Sequence, residues 1–355
     1  MKFPLLILML SCLFTAGAQP GRMLGEANVL SAAGRYQASN ALLDEFIETY
    51  PTRMYDQGEA LFLKSYNYLQ MGNLEAALAD NAASLELRRQ FIPEDAAKNY
   101  MRSGAIYLLQ GQYEQALDNL FRAEEFPLID DPQMAALIKG YIGSVYTSLR
   151  QYDRARKYFR QSLDILLIEE GEDSPDVSTS YYNLARTFML ERKPGVAEEW
   201  LQKALSVERE LEGGVVRKSQ LYNALGQAAE EAGRLGEAEE HYQMASQMYR
   251  GLFGKNHPEL ARSLINLAGL KHKKEEKEDA QRVIQDAIRQ LCPGFSGRDA
   301  AENPGEDALV LSRPLLARAL ETKAAILLDL FEDTGEEKAL EQALAASLRA
   351  AGAVE

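Results

Sequence analysis

The sequence predicts an all-α fold, a solenoid of antiparallel helix hairpins, and two observations carry that prediction. Six alanines, Ala77, Ala116, Ala155, Ala197, Ala238 and Ala280, recur at steps of 39, 39, 42, 41 and 42 residues, a period that marks stacked copies of one supersecondary unit. Around each alanine the same columns of small and bulky residues return, at offsets that suit two packed helices. Hairpins stacked with a slight rotation from one copy to the next are expected to wind into a right-handed superhelix of about eight units with a concave and a convex face.

The columns justify each element in turn. Twelve residues before each marker alanine stands a small residue, Ser65, Gly104, Gly143, Ala185, Gly226 or Ala268, and seven after it another, Ser84, Ala123, Ser162, Ala204, Ala245 or Ala287. Nine residues before it a bulky side chain occurs in four copies, Tyr68, Tyr107, Tyr146 and Phe188, while Ala229 and Lys271 depart. Read as helices A and B, the small columns let two backbones approach closely, and the aromatic column is expected to fill the space beside the contact. Gly72, Gly111 and Gly233 fall in the turn, where a residue without Cβ ends helix A at least cost. An earlier copy spans residues 22–52: Ala27, Gly34, Tyr36, Leu43 and Phe46 hold the equivalent columns, Ser39 replaces the marker alanine and Pro51 closes the unit. Divergence is expected of a terminal copy that turns one face to water.

Paired small residues on A and B resemble the tetratricopeptide repeat, and the resemblance covers most of the chain beyond its first residues. The long spacing, with Gly254-Lys255-Asn256-His257-Pro258 ahead of Ser263-Leu264-Ile265-Asn266-Leu267-Ala268 and a Ser174-Pro175-Asp176 turn ahead of Tyr181-Tyr182-Asn183-Leu184-Ala185, looks like the kinesin-light-chain variety of that family. Ala319-Leu320-Glu321-Thr322-Lys323-Ala324, then Leu327, Leu330-Phe331 and Thr334-Gly335, resemble the helical segment that precedes CHAT-type caspase-like domains in bacterial proteins.

Four segments are expected. Residues 1–18 read as an export signal: Lys2, an apolar run from Phe3 to Phe14, then Ala16-Gly17-Ala18 as a cleavage site. The run is short of the roughly 20 residues that span a bilayer, so no membrane insertion is expected after cleavage. The product is expected to be exported from a bacterial cell, periplasmic or extracellular, with a lipoprotein anchored at Cys12 as the alternative. Residues 19–291 form the repeat array, 292–308 a loop rich in proline and glycine, and 309–355 a terminal helical hairpin around Leu316, Leu320, Ala324, Leu327, Leu328 and Phe331, then Leu340, Ala343 and Leu344.

Composition excludes several function classes. The chain has 46% hydrophobic and 26% charged residues and a net charge of −14, the balance of a folded protein, and its acidity repels nucleic-acid phosphates and anionic lipid. Loss of the signal leaves Cys292 as the one cysteine, so no internal disulfide is expected. Three histidines, His241, His257 and His272, lie outside any HExxH or CxxC pattern, and no metal or cofactor is expected. His241 and His272 read as solvated helix positions and His257 as a turn residue. Gly254-Lys255 lacks the glycine spacing and the Ser or Thr of a phosphate loop. A hydrolase using Cys292 or Ser296 would need a neighbouring base that the sequence does not place, so no catalytic residue is assigned. The mixed run from Lys271 to Asp279 reads as a solvated helix end.

Function is therefore expected on a surface. In a stack of this kind the A helices line the concave groove, and the residues facing it are expected to be Arg102, Tyr141, Asn183, Arg186, Asn223, Gln227 and Asn266. Asn183 and Asn266 suit the backbone of an extended peptide because an amide both donates and accepts; arginine adds carboxylate recognition. The family's clamp for a peptide C-terminus uses five polar columns, of which Asn28, Lys98 and Arg102 match three while Leu24 and Leu63 occupy the others. The expected function is a non-enzymatic scaffold that binds a protein or peptide in the groove. The alternative implied by the second resemblance is a sensor or regulatory region of a CHAT-type protease system whose peptidase domain is missing or encoded separately.

Overall fold

The computed structural model describes residues 20–127, 131–210, 214–297, 302–305 and 307–354, so the export signal expected at residues 1–18 lies outside the described residues. Every regular element described is helical. The chain divides into two compact units, one up to Glu169 and one from Glu170 onward. The first holds α1 (20–32), α2 (Tyr36–Thr49), α3 (Met54–Gln70), α4 (Leu74–Phe91), a 3-10 turn at Pro93–Asp95, α5 (Ala96–Leu109), α6 (Tyr113–Glu124), α7 (Pro132–Ser148) and α8 (Tyr152–Glu169). The second holds α9 (Pro175–Leu190), α10 (Pro194–Glu210), α11 (Val215–Glu231), α12 (Leu235–Phe253), α13 (Pro258–Lys273), α14 (Lys277–Leu291), α15 (Arg313–Thr334) and α16 (Glu337–Val354). In each unit an odd-numbered helix packs on the even one that follows, and each even helix from α2 on meets the next odd one within its unit.

The turns inside the hairpins share one geometry. The residue five before each marker has a left-handed backbone: Gly34, Gly72, Gly111 and Gly233 do so freely, whereas Arg150, Arg192 and Glu275 hold φ of 57°, 58° and 64°. The N–H that follows closes the helix end by reaching back five residues, from Asn73 to the Tyr68 carbonyl (2.9 Å), Gln112 to Tyr107 (2.9 Å) and Arg234 to Ala229 (2.8 Å). The column nine before the marker thus supplies a backbone acceptor, which is why Ala229 and Lys271 serve there as well as an aromatic.

Close packing uses two layers in each hairpin. In the inner layer the small column of helix A meets a knob from helix B four residues after the marker. A Cβ on Gly104 would lie 2.5 Å from Leu120, on Gly143 2.8 Å from the Phe159 ring and on Gly226 2.6 Å from the Tyr242 ring. Those knobs are buried, as are Leu201 and Ile284 at the same column of the copies carrying Ala185 and Ala268. The glycine hole thus takes a large knob from helix B, a column the sequence reading did not single out, while the aromatic column of helix A is buried at Tyr146 and Phe188. In the outer layer the small column after the marker meets another on helix A, and a serine on either side bonds the opposing backbone. Ser84 Oγ donates to the Gly58 carbonyl (2.7 Å) and Ser162 Oγ to that of Ala136 (2.7 Å). In the first hairpin Ser39, where alanine is the rule, donates to the Ala27 carbonyl at 2.8 Å.

The segment after α14 is tied to the second unit by side chains. Buried Lys323 donates to the Glu302 carbonyl (2.7 Å) and to Asn303 Oδ1 (2.8 Å), and Gln285 donates to the carbonyls of Gly297 (3.2 Å) and Glu302 (3.1 Å). No described helix is long and apolar enough to cross a membrane.

Candidate functional site

Polar residues of the hairpins fall into two groups, those that stitch hairpins together and those that remain available. In the first unit Asn67 accepts from Ser31 (2.5 Å) and donates to Asn40 (2.7 Å), and Asn81 donates to the Asn99 carbonyl and to Ser103 Oγ, both at 2.8 Å. In the second, Asn223 Nδ2 donates to Ser263 Oγ on α13 (2.7 Å), and Asn266 Oδ1 accepts from Arg318 on α15 (2.9 Å). Asn223 and Asn266 are buried. Their amides join neighbouring A helices, which differs from the groove-facing role the sequence suggested: a short amide one turn from the small column reaches the next hairpin before it reaches solvent. Asn223 Oδ1 and Asn266 Nδ2 have no partner. Asn183 is half-buried, and Arg186 and Gln227 are exposed.

Arg102 and Tyr141, the two groove candidates of the first unit, come together with residues the sequence did not single out. The Arg102 guanidinium lies 3.4 Å from the centre of the Phe62 ring and 5.8 Å from that of Tyr66, and one of its nitrogens donates to the Phe62 carbonyl. Arg88, the next cation, stands 4.1 Å from the same ring. Helices α3, α5 and α7 bring Phe62, Tyr66, Arg102 and Tyr141 to one surface because they are successive A helices. The two arginines differ in their partners: Arg88 donates to Glu59 (2.6 Å) and Asn99 (3.0 Å), whereas no described carboxylate lies within ion-pair distance of Arg102. Burial, and then the like charge of Arg88, pull the Arg102 guanidinium down to about 9, with Tyr141, Tyr66 and Glu59 acting weakly the other way. A half-buried cation on an aromatic floor, lacking an acid, is arranged to take one from elsewhere. The other clamp columns are occupied: Lys98 pairs with Asp95 (2.8 Å) and Asn28 donates to the Leu24 carbonyl (3.1 Å).

Residues considered for chemistry have structural roles. Cys292 is buried and its thiol pushed up to about 11 by burial, so it stays protonated at neutral pH, the reverse of an activated nucleophile. Ser296 is exposed. His257 caps α13, its Nδ1 accepting from the Glu259 N–H at 3.2 Å while the ring stacks on Phe253 at 3.7 Å. His241 and His272 are not solvated as expected. His241 is half-buried against Tyr222, which lowers its pKa, and His272 bonds Asp329 at 2.7 Å, linking α13 to α15. Lys271 and Lys274 likewise converge on Glu239 and Glu276 in a packed ion network. Among the described residues no three His, Cys, Asp or Glu side chains group to hold a metal.

Comparison with known proteins agrees with this geometry. The tetratricopeptide repeat family matches residues 134–210 and 217–291. A stretch of 109 residues is 32% identical to human tetratricopeptide repeat protein 19, mitochondrial, covering 30% of this chain and 27% of that one, so the match spans about a quarter of the relative's length. Among solved structures, the apo form of RapI is 15% identical over 94% of this chain and 97% of its own, with a TM-score of 0.60. A Rap protein complexed with competence and sporulation factor is 17% identical over 95% and 99%, with a TM-score of 0.55. A tetratricopeptide repeat protein from Parabacteroides merdae is 18% identical over 81% and 91%, with a TM-score of 0.51. At these identities the solved structures share the fold. The nesting of Gly143 against Phe159 and of Gly226 against Tyr242 falls inside the matched stretches, so residues 134–210 and 217–291 match the tetratricopeptide repeat both in sequence and in how their hairpins pack.

Proposed function

We propose that the chain is a non-enzymatic scaffold that binds a protein or peptide through the A-helix surface of its first unit, with a partner carboxylate seated on Arg102. The observation that carries this reading is the guanidinium itself, half-buried over Phe62 and flanked by Tyr66 and Tyr141, with no described carboxylate within ion-pair distance. Placing a cation there without a counter-ion costs free energy that an incoming carboxylate recovers as a charge-assisted, partly desolvated pair. The fold supports it too: a Rap protein of this architecture was crystallised with a bound factor. Asn183, Arg186 and Gln227 are assigned a supporting role on the second unit. Export belongs to the same proposal and rests on residues 1–18; N-terminal sequencing of the mature protein checks it, and an intact Met1 would remove it.

The test is an array of acidic and neutral peptides probed with the full chain and with Arg102→Met. The expected result is a set of carboxylate-bearing peptides retained by the wild type and lost by the variant. Equal retention by both would overturn the assignment of Arg102.

A further inference from the structure

The second unit carries a recess unrelated to the A-helix surface, formed where the end of α12, the outer side of α14 and the stretch after α14 meet. It encloses about 800 Å³, within the range of small-ligand sites. Its lining is strongly biased for a chain of net charge −14: Arg250, Lys255, Arg282 and Arg289 stand against one carboxylate, Asp286. Asp286 accepts from Arg250 at 2.7 Å and from Arg289 at 3.3 Å, and Asp279, at the edge, pairs with Arg282. Burial alone would raise the Asp286 carboxyl, but hydrogen bonds from Arg250, Gln290 and Arg289 carry it below its ordinary value, so it is ionised and already counted. Among the described residues of the recess and its edge, two carboxylates against four cations leave two positive charges uncompensated in a concave site, where the field is focused.

A second observation points to a ligand as well. Gln285, 2% exposed, is part of the wall; its Nε2 is used by the carbonyls of Gly297 and Glu302, and its Oε1 has no partner. Phe295 adds a half-buried ring to the same lining. We propose that this recess binds a ligand bearing a phosphoryl group, held by Arg250, Lys255, Arg282 and Arg289 with its apolar part against Phe295. A phosphate monoester carries about −1.5 to −2 at pH 7 and matches the residual charge; a lone carboxylate matches half of it.

Isothermal titration calorimetry of the full chain with phenyl phosphate tests this, with benzoate as the singly charged control and a phosphoserine tripeptide to separate a protein-borne phosphate from a small-molecule one. The double variant Lys255→Gln/Arg282→Gln removes two cations at exposed positions, and its circular dichroism spectrum checks that the fold is kept. Saturable binding of phenyl phosphate or the phosphopeptide, weakened about tenfold in the double variant and about tenfold for benzoate, is the expected result, and the tighter of the two probes names the source. Absence of saturable binding for both phosphates, or equal binding by the double variant, overturns the proposal.

Discussion

Arg102 shows how one side chain links stability to binding. Its guanidinium is held by the Phe62 ring and carbonyl without an acid, so the folded chain carries a charge that the unfolded chain solvates better. The sign follows from the shift: burial makes the folded guanidinium hold its proton less tightly than the unfolded one does. The uncompensated charge therefore destabilises the fold at neutral pH. Arg102→Met is expected to raise stability by about 1 kcal/mol while abolishing carboxylate binding; urea melts and the peptide array measure the two effects on the same protein. The sequence made Arg102 legible through its column, but the ring beneath it was not, because Phe62 occupies a helix position that reads as ordinary core.

At the scale of the hairpin, the size of the hole on helix A is matched to the knob on helix B: glycine faces Leu120, Phe159 or Tyr242, and alanine columns go with Leu201 or Ile284. Gly143→Leu is expected to cost about 1–3 kcal/mol by overpacking, and Phe159→Ala should restore part of that loss in the double variant while destabilising the wild type by itself. Additive losses in denaturant melts would show that the two residues do not share a layer. The turns give the opposite opportunity. Arg150, Arg192 and Glu275 hold left-handed φ at a column where Gly34, Gly72, Gly111 and Gly233 do so freely. Replacing Arg192 by glycine should raise stability by about 0.5–1 kcal/mol, the left-handed penalty less the entropy glycine loses on folding. A lower thermal midpoint for Arg192→Gly would mean that the arginine side chain contributes more than its backbone costs. The spacing of the small columns announced these hairpins, since a period near 40 is a property of sequence; the knob column stayed hidden because Leu, Phe, Tyr and Ile differ in letter while sharing one place.

For the molecule as a whole, stability is a sum over hairpins and the contacts between neighbours, so unfolding need not be all-or-none. Trp200, the one tryptophan, sits on α10 against Tyr181 at 5.7 Å and under Lys203 at 4.4 Å, a local reporter of the first hairpin of the second unit. Its fluorescence midpoint in urea is expected to differ from the midpoint of helical circular dichroism, which averages over both units. Coincident transitions would show one cooperative block. The buried amides Asn67, Asn81, Asn99 and Asn223 bear on the same question: each joins its hairpin to the next, and a lost amide would leave a buried group unpaired. Asparagine on a helix looks from sequence like a surface residue, and Asn223 and Asn266 show why that reading falls short where two A helices approach.

By itself the sequence determined the repeat, the hairpin register, the small columns and the glycine turns, because these depend on neighbours along the chain and on a period that any copy repeats. Tertiary structure alone decided which polar groups are spent in joining hairpins and which remain available, as Arg102 does. It also decided that four cations from two successive hairpins share one recess with Asp286. Whether a charge or an amide is satisfied depends on what packs against it from a different copy, and a pattern that is the same in every copy does not encode that.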